Sequence, residues 1–203
     1  ERIAERIDAN LLDVTIDELY EMPKQYYESK IEKLQRKVSG QLIIKEYPTA
    51  AAHTGHFKNL MDELALKKTF KPDVVFIDYL NICASSRFKG GNISSYFYIK
   101  AIAEELRGMA VEYNVPIMTA TQTTRAGYMS SDVGLEDTSE SFGLPATADF
   151  MFALITNEEL EALNQMKIKQ LKNRYSDPAT NRAFIIGVDR AKMRLYDVEQ
   201  KAQ

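Results

Sequence analysis

Apolar positions recur every three to four residues at the start of the chain and in continuous short runs further on. Ile3, Ile7 and Leu11 lie four apart and predict one face of a helix over residues 1–12. Thr15-Ile16-Asp17-Glu18 has the form of a capping box and predicts a second helix, which Pro23 interrupts. Lys24 to Ser39 reads as a third helix, with Gly40 just past its end. Leu42-Ile43-Ile44 predicts a short strand, and His56 to about Lys67 a helix carrying Phe57, Leu60, Met61 and Leu64. The run Val74-Val75-Phe76-Ile77 has no polar interruption, which predicts a strand buried on both faces, as in a parallel sheet. Ser95 to Tyr113 predicts a helix with Ile99, Ile102, Ala103, Leu106 and Met109 inward. Val115 to Thr121 predicts the next buried strand. Strand, loop, helix and strand in this order form a βαβ unit and argue for an α/β fold. After a strand at Phe150–Ile155 and a small helix or turn opening at Asn157, the pattern alternates around Met166–Leu171, Phe184–Val188 and Met193–Val198. That is an antiparallel extension with a turn at Ser176-Asp177-Pro178.

Both predicted core strands end in a polar residue. Asp78 closes the first and Gln122 follows the second, so the topology delivers both to the carboxyl edge of the sheet, where ligands meet such folds. A carboxylate there needs water, a partner or a metal. A strand-end Asp of this kind is the Walker B arrangement of nucleotide-hydrolysing α/β folds, in which it holds the water shell of Mg²⁺; the plainer reading is an Asp capping a loop. Two polar loops follow these strands, Asn81–Asn92 with Arg87 and Lys89, and Thr123–Asp137 with Gly127 and Gly134. His53 and His56 are three apart, but a metal site needs a further converging ligand, and two histidines at a helix start account for them.

Composition narrows the class. The chain has 203 residues, 45% hydrophobic and 27% charged, as in an ordinary globular domain. Net charge is −3, so no global bias toward nucleic acid exists. A single cysteine, Cys83, excludes an internal disulfide framework and fits a reducing compartment. No apolar run reaches membrane length. Charge is concentrated locally. From Gln165 to Arg194, Lys167, Lys169, Lys172, Arg174, Arg182, Arg190, Lys192 and Arg194 face only Asp177 and Asp189, eight cations against two anions and a local charge of +6. That stretch is either a solvated strand face or a surface that meets phosphates. Lys172 and Arg174 are two apart on one strand, so both side chains leave the same face toward one anionic target.

Phe76-Ile77-Asp78-Tyr79-Leu80-Asn81, Ala120-Thr121-Gln122 with Arg125 three on, and Lys172-Asn173-Arg174 occur in the order and spacing of the DnaB-like hexameric replicative helicases. Asp78 to Arg87 and Ser139 to Asp149 resemble the bacteriophage members of that family, and the resemblance covers essentially the whole chain. It implies a RecA-like P-loop NTPase core, a mostly parallel sheet with helices on both faces and an antiparallel C-terminal strand extension. The expected organisation is a single domain over residues 1–203, with a helical lead-in at 1–40, a parallel α/β core at 41–156 and a β extension at 157–203. The resemblance implies ATP and Mg²⁺ as cofactors. It implies single-stranded DNA, further copies of the chain in a ring (a hexamer), a primase and a helicase loader as partners, and the cytoplasm of an infected bacterium as the setting. Under it, Asp78 acts on Mg²⁺ through water, Gln122 senses the γ-phosphate, and Arg174 with Lys172 reaches the nucleotide of a neighbouring subunit. The loops around Arg87 and Lys89 and from Arg125 to Glu140 line the DNA channel. The second loop departs from a basic pattern, because Asp132, Glu136, Asp137 and Glu140 outnumber Arg125.

No glycine in the chain is followed by lysine, so the phosphate-cradling Gly-x-x-x-x-Gly-Lys-Ser/Thr loop is not among these residues. In the family that loop, the first strand and the catalytic glutamate precede a segment resembling Glu1–Leu12. The expectation is therefore a piece of a longer protein that alone neither binds ATP tightly nor hydrolyses it, and whose sheet exposes an apolar edge. The alternatives are another RecA-like ATPase, such as a strand-exchange recombinase, or a degenerate RecA-like module that only binds DNA or protein.

Overall fold

The computed structural model describes residues 2–88, 93–124, 133–137, 143–177 and 179–200. Helices α1 (Arg2–Leu12), α2 (Ile16–Glu21), α3 (Lys24–Gln35) and α4 (Thr54–Lys68) precede strand β1 (Val75–Ile77). After a 3₁₀ turn at Leu80–Ile82 come α5 (Ser95–Tyr113) and β2 (Ile117–Thr119). A second 3₁₀ turn, Leu135–Asp137, leads to α6 (Gly143–Thr147), β3 (Phe150–Ile155) and α7 (Glu158–Ala162). Strands β4 (Gln165–Asn173), β5 (Ala183–Asp189) and β6 (Arg194–Asp197) close the chain. β1 and β2 pair in parallel with Val75 opposite Ile117 and Ile77 opposite Thr119. The remaining strands form a sheet in the order β3-β4-β5-β6, with β5 and β6 antiparallel.

The chain divides into two compact units. The first comprises Glu1–Glu46, Leu154–Ile168 and Ala183–Gln203. Its predicted capping box is present: Thr15 Oγ1 accepts from the Glu18 N–H at 3.1 Å, and the Glu18 carboxylate accepts from the Thr15 N–H at 2.7 Å. The first helix is tied to the β5–β6 turn at two places. Asn10 Nδ2 donates to the Met193 carbonyl at 2.7 Å, and the Asp13 carboxylate takes Lys192 at 3.2 Å and Arg194 at 3.0 Å. Arg190 also pairs with Glu161 at 3.7 Å, so three of the cations in the basic C-terminal stretch are paired within this unit.

The second unit comprises Tyr47–Ala153 and Lys169–Arg182. The inward face predicted for α5 forms its core: Ile99, Ile102, Ala103, Leu106 and Met109 pack with Met61, Leu80, Cys83, Val115 and Leu144. Ile102 and Met109 are fully buried, and each such side chain contributes about 1.5–3 kcal/mol. His53 caps α4, with Nδ1 accepting from the Gly55 N–H at 3.0 Å, while the His53 N–H donates to His56 Nδ1 at 3.3 Å. Among the described residues no group of three or more His, Cys, Asp or Glu side chains is arranged to hold a metal ion, and no helix is long and apolar enough to cross a membrane.

Three local expectations change. The third helix ends at Gln35, with Arg36 as its cap, rather than running to Ser39. Leu42-Ile43-Ile44 is exposed and is not a strand, because no described strand pairs with it. The β1 and β2 core is shorter than the apolar runs, and Phe76 and Met118 are 71% and 51% exposed. In a two-stranded sheet covered on one side, alternate side chains point away from the helices.

Candidate functional site

The parallel pairing of β1 and β2 brings the two predicted strand-end residues to one edge. Beyond the last paired residues the Leu80 N–H donates to the Ala120 carbonyl at 3.1 Å, and Thr119 Oγ1 donates to the Ile77 carbonyl at 2.8 Å. Thr121 Oγ1 meets Asn81 Oδ1 at 2.8 Å, and Gln122 Nε2 donates to the Tyr79 hydroxyl at 3.3 Å. Gln122 therefore lies against the residue that follows Asp78. Asp78 is exposed, and among the described residues its carboxylate enters no hydrogen bond or ion pair. An accessible, unneutralised carboxylate beside a side-chain amide suits the water shell of a divalent cation. The peptide bond between Asp78 and Tyr79 is cis.

Lys172 lies near the end of β4, and Arg174 follows one residue past its last residue, Asn173. Lys172 meets α6 itself, and Arg174 meets the turn between α6 and β3. Lys172 Nζ donates to the Pro145 carbonyl, and Arg174 Nη1 pairs with Asp149 Oδ1 at 2.7 Å. The Arg174 N–H also donates to the Asp149 carbonyl at 3.0 Å. A second guanidinium, that of Arg107 on α5, reaches the same Oδ1 at 3.0 Å and donates to the Thr147 carbonyl at 2.5 Å. Desolvation raises the Asp149 pKa, but the Arg107 and Arg174 guanidiniums outweigh it and hold the carboxyl below the usual carboxylate value. Two cations on one anion leave one positive charge in surplus. Arg107 and Arg174 line an open cleft of about 450 Å³ together with Lys100, Glu104, Ala146 and Thr147. Neither Arg107 nor Asp149 is singled out by the sequence. They lie 42 residues apart, and only the packing of α5 on α6 joins them.

Of the loop residues, Arg87 is described, whereas Lys89, Arg125 and Glu140 lie outside the described residues. Arg87 Nη1 pairs with Glu104 at 2.7 Å and its side chain is half exposed. The backbone beneath it is gathered by Glu105, a buried carboxylate that the inward stripe of α5 does not predict. The signal available was a charge next to Leu106 within that stripe, opposite a Ser-Ser-Arg run after the strand.

A parallel strand pair that delivers an acid and an amide to one edge, with two cations at the end of a separate strand, is an α/β arrangement. Two solved structures share the fold. The ATPase domain of G40P superposes with a TM-score of 0.74 at 18% identity, covering 96% of this chain and 69% of that one. A DnaB-like replicative helicase, solved for its interactions with primase, superposes with a TM-score of 0.73 at 17% identity, covering 96% of this chain and 47% of that one. Residues 1–192 match the model of the DnaB-like helicase C terminal domain, and the chain belongs to that family. The DnaB-like replicative helicase of Enterobacteria phage T4 is 46% identical over 200 residues, which is 97% of this chain and 42% of that protein. The chain thus spans less than half the length of that relative.

Proposed function

We propose that this chain is the part of an ATP-driven replicative DNA helicase that couples nucleotide state to DNA, in a protein that unwinds duplex DNA by moving along one strand as a hexameric ring. The observation that carries this reading is the juxtaposition of Asp78 and Gln122 on the paired ends of β1 and β2. Asp78 would hold Mg²⁺ through its water shell, and that ion would supply positive charge to offset the phosphates of bound ATP. Gln122 reads the γ-phosphate; its amide touches the Tyr79 hydroxyl and the preceding Thr121 touches Asn81, so a shift of this strand end reaches the start of the loop that carries Arg87. Arg174, with Lys172 beside it, serves the nucleotide of an adjoining subunit. In support, its guanidinium is half exposed and lines the open cleft. Arg87, Lys89, Arg125 and Glu140 contact single-stranded DNA. A primase is a partner by analogy with the solved relative, and a helicase loader and the cytoplasm of a phage-infected bacterium complete the reading.

The test is Gln122→Ala in the full-length protein. Nucleotide binding is expected to persist while stimulation of ATP hydrolysis by single-stranded DNA and strand displacement are both lost. Full stimulation in the variant would overturn the coupling role.

A further inference from the structure

Glu105 is 9% exposed, and no cation neutralises it among the described contacts. A buried carboxylate is costly unless donors converge on it. Five do. Ser85 Oγ donates at 2.5 Å, Ser86 Oγ at 2.7 Å, the Ser86 N–H at 2.9 Å, Thr54 Oγ1 at 3.1 Å and the Arg87 N–H at 3.4 Å. Desolvation raises its pKa, but the Ser85 and Ser86 hydroxyls and the loop N–H groups prevail and keep it below the ordinary value, so it is an anion at neutral pH. Four of the five donors belong to the segment Ser85–Arg87 in the loop that leaves β1 just after Asp78. The fifth, Thr54, opens α4. Further ties hold the same segment: the Ser85 N–H donates to the Tyr98 hydroxyl at 3.1 Å and the Arg87 N–H to Ser85 Oγ at 3.2 Å.

The neighbouring carboxylate on α5 treats Arg87 differently. Glu104 takes the guanidinium at 2.7 Å, in a pair half open to solvent, where such a bond is weak and easily exchanged. So one carboxylate fixes the Arg87 backbone from inside, and the next holds its side chain loosely from outside. A side chain anchored only to keep the fold would not need an acceptor-only group under the main chain of an exposed cation. An aliphatic residue fills a core at lower cost.

We infer that Glu105 is a positioning residue that fixes the Ser85–Arg87 segment so that Arg87 is presented to a phosphate of single-stranded DNA, which displaces Glu104 from the guanidinium. This rests on the DNA-contact reading of Arg87 above. Prior ordering of the segment removes the entropy loss that binding would otherwise impose. Gln cannot replace Glu105, because its amide offers one acceptor atom where the carboxylate offers two.

The test uses the full-length protein and a fluorescent oligo-dT, with affinity measured across a series of salt concentrations. Arg87→Ala is expected to weaken binding and to reduce the slope of log K against log salt by about 0.7, one single-strand phosphate contact. Glu105→Gln is expected to weaken binding roughly tenfold, one charge-assisted contact's worth, and to lower the slope similarly. The double variant is expected to bind no more weakly than Arg87→Ala, because Glu105 acts through Arg87. Ser86→Ala, which removes one donor and leaves the carboxylate in place, gives the same change at smaller size and answers the question should Glu105→Gln not fold. If Arg87→Ala binds like the unaltered protein, the DNA-contact reading fails and this inference with it. If Arg87→Ala weakens binding while Glu105→Gln and Ser86→Ala do not, or if the losses add in the double variant, the inference alone is overturned.

Discussion

Replacing Asp149 with Asn leaves an oxygen where Oδ1 stood and removes only the charge that two guanidiniums share. Arg174 lies 2.7 Å and Arg107 3.0 Å from that atom, with the carboxylate 36% exposed and the arginines 50% and 39% exposed. Pairs this open are worth roughly 0.2–1 kcal/mol each, and two that share an oxygen do not add fully. The expected cost of Asp149→Asn at pH 7 is therefore about 0.5–1.5 kcal/mol. At a urea slope near 2 kcal/mol/M that moves the unfolding midpoint down by about 0.3–0.7 M. The direction of the pKa shift sets the pH dependence. A carboxyl lowered by folding adds stability above its unfolded value, about 3.9, and that contribution is lost as pH falls through the lower folded value. The difference between the two proteins should thus be full above about pH 5 and close as the carboxylate is protonated. It should also shrink in 1 M salt, where screening acts within about 3 Å. A loss beyond about 3 kcal/mol would identify a desolvated charge network instead. A difference that persists unchanged in acid and in high salt would refute the electrostatic reasoning altogether.

Two further substitutions test the packing of each unit. Gly187 faces Tyr196 across the β5–β6 pair, and a Cβ built there falls 2.2 Å from the tyrosine ring carbons. Gly187→Ala should cost about 1–3 kcal/mol in thermal denaturation, and combining it with Tyr196→Ser should recover most of that loss; failure to recover would show that the ring is not the obstacle. Met109 has no exposed surface, so Met109→Ala should cost about 2–5 kcal/mol by chemical denaturation, and a loss under 1 kcal/mol would mean that the α5 core collapses onto the gap.

Periodicity gave α5, β3 and the strands of the C-terminal extension because one period and one buried face decide each of them. Ile99, Ile102, Leu106 and Met109 are enough to place the α5 core face. Asp78 and Gln122 were legible for a topological reason, since parallel strands deliver their carboxyl ends to one edge whatever the intervening loop does. Strand alternation predicts one face for Lys172 and Arg174, yet β4 ends at Asn173, and the carboxylate that receives Arg174 could not be read. Asp149 and Arg107 meet only after α5 packs on α6, and no local pattern encodes that distance. Glu105 was hidden because a stripe is read by its apolar members, and the donors that make a buried anion tolerable come from a loop nineteen residues away. The apolar run at 74–77 overstated burial: β-rich composition predicts the strand, whereas the exposure of Phe76 depends on which elements cover each face.

On the proposed function, Arg174 would act on the nucleotide of a neighbouring subunit whose own Asp78 would hold the metal. The direct measurement mixes two variants of the full-length protein, Arg174→Ala and Asp78→Asn, and follows ATP hydrolysis stimulated by single-stranded DNA. Arg174→Ala alone should be depressed on the order of 10³-fold, the lower range for an arginine finger, while still binding nucleotide, and Asp78→Asn alone should also lose hydrolysis. In mixed rings an intact Asp78 site meets an intact Arg174 from the other subunit, and activity should return in proportion to such junctions. Mixed rings that form but stay inactive, or an Arg174→Ala protein that hydrolyses ATP at the unaltered rate, would exclude that role for Arg174.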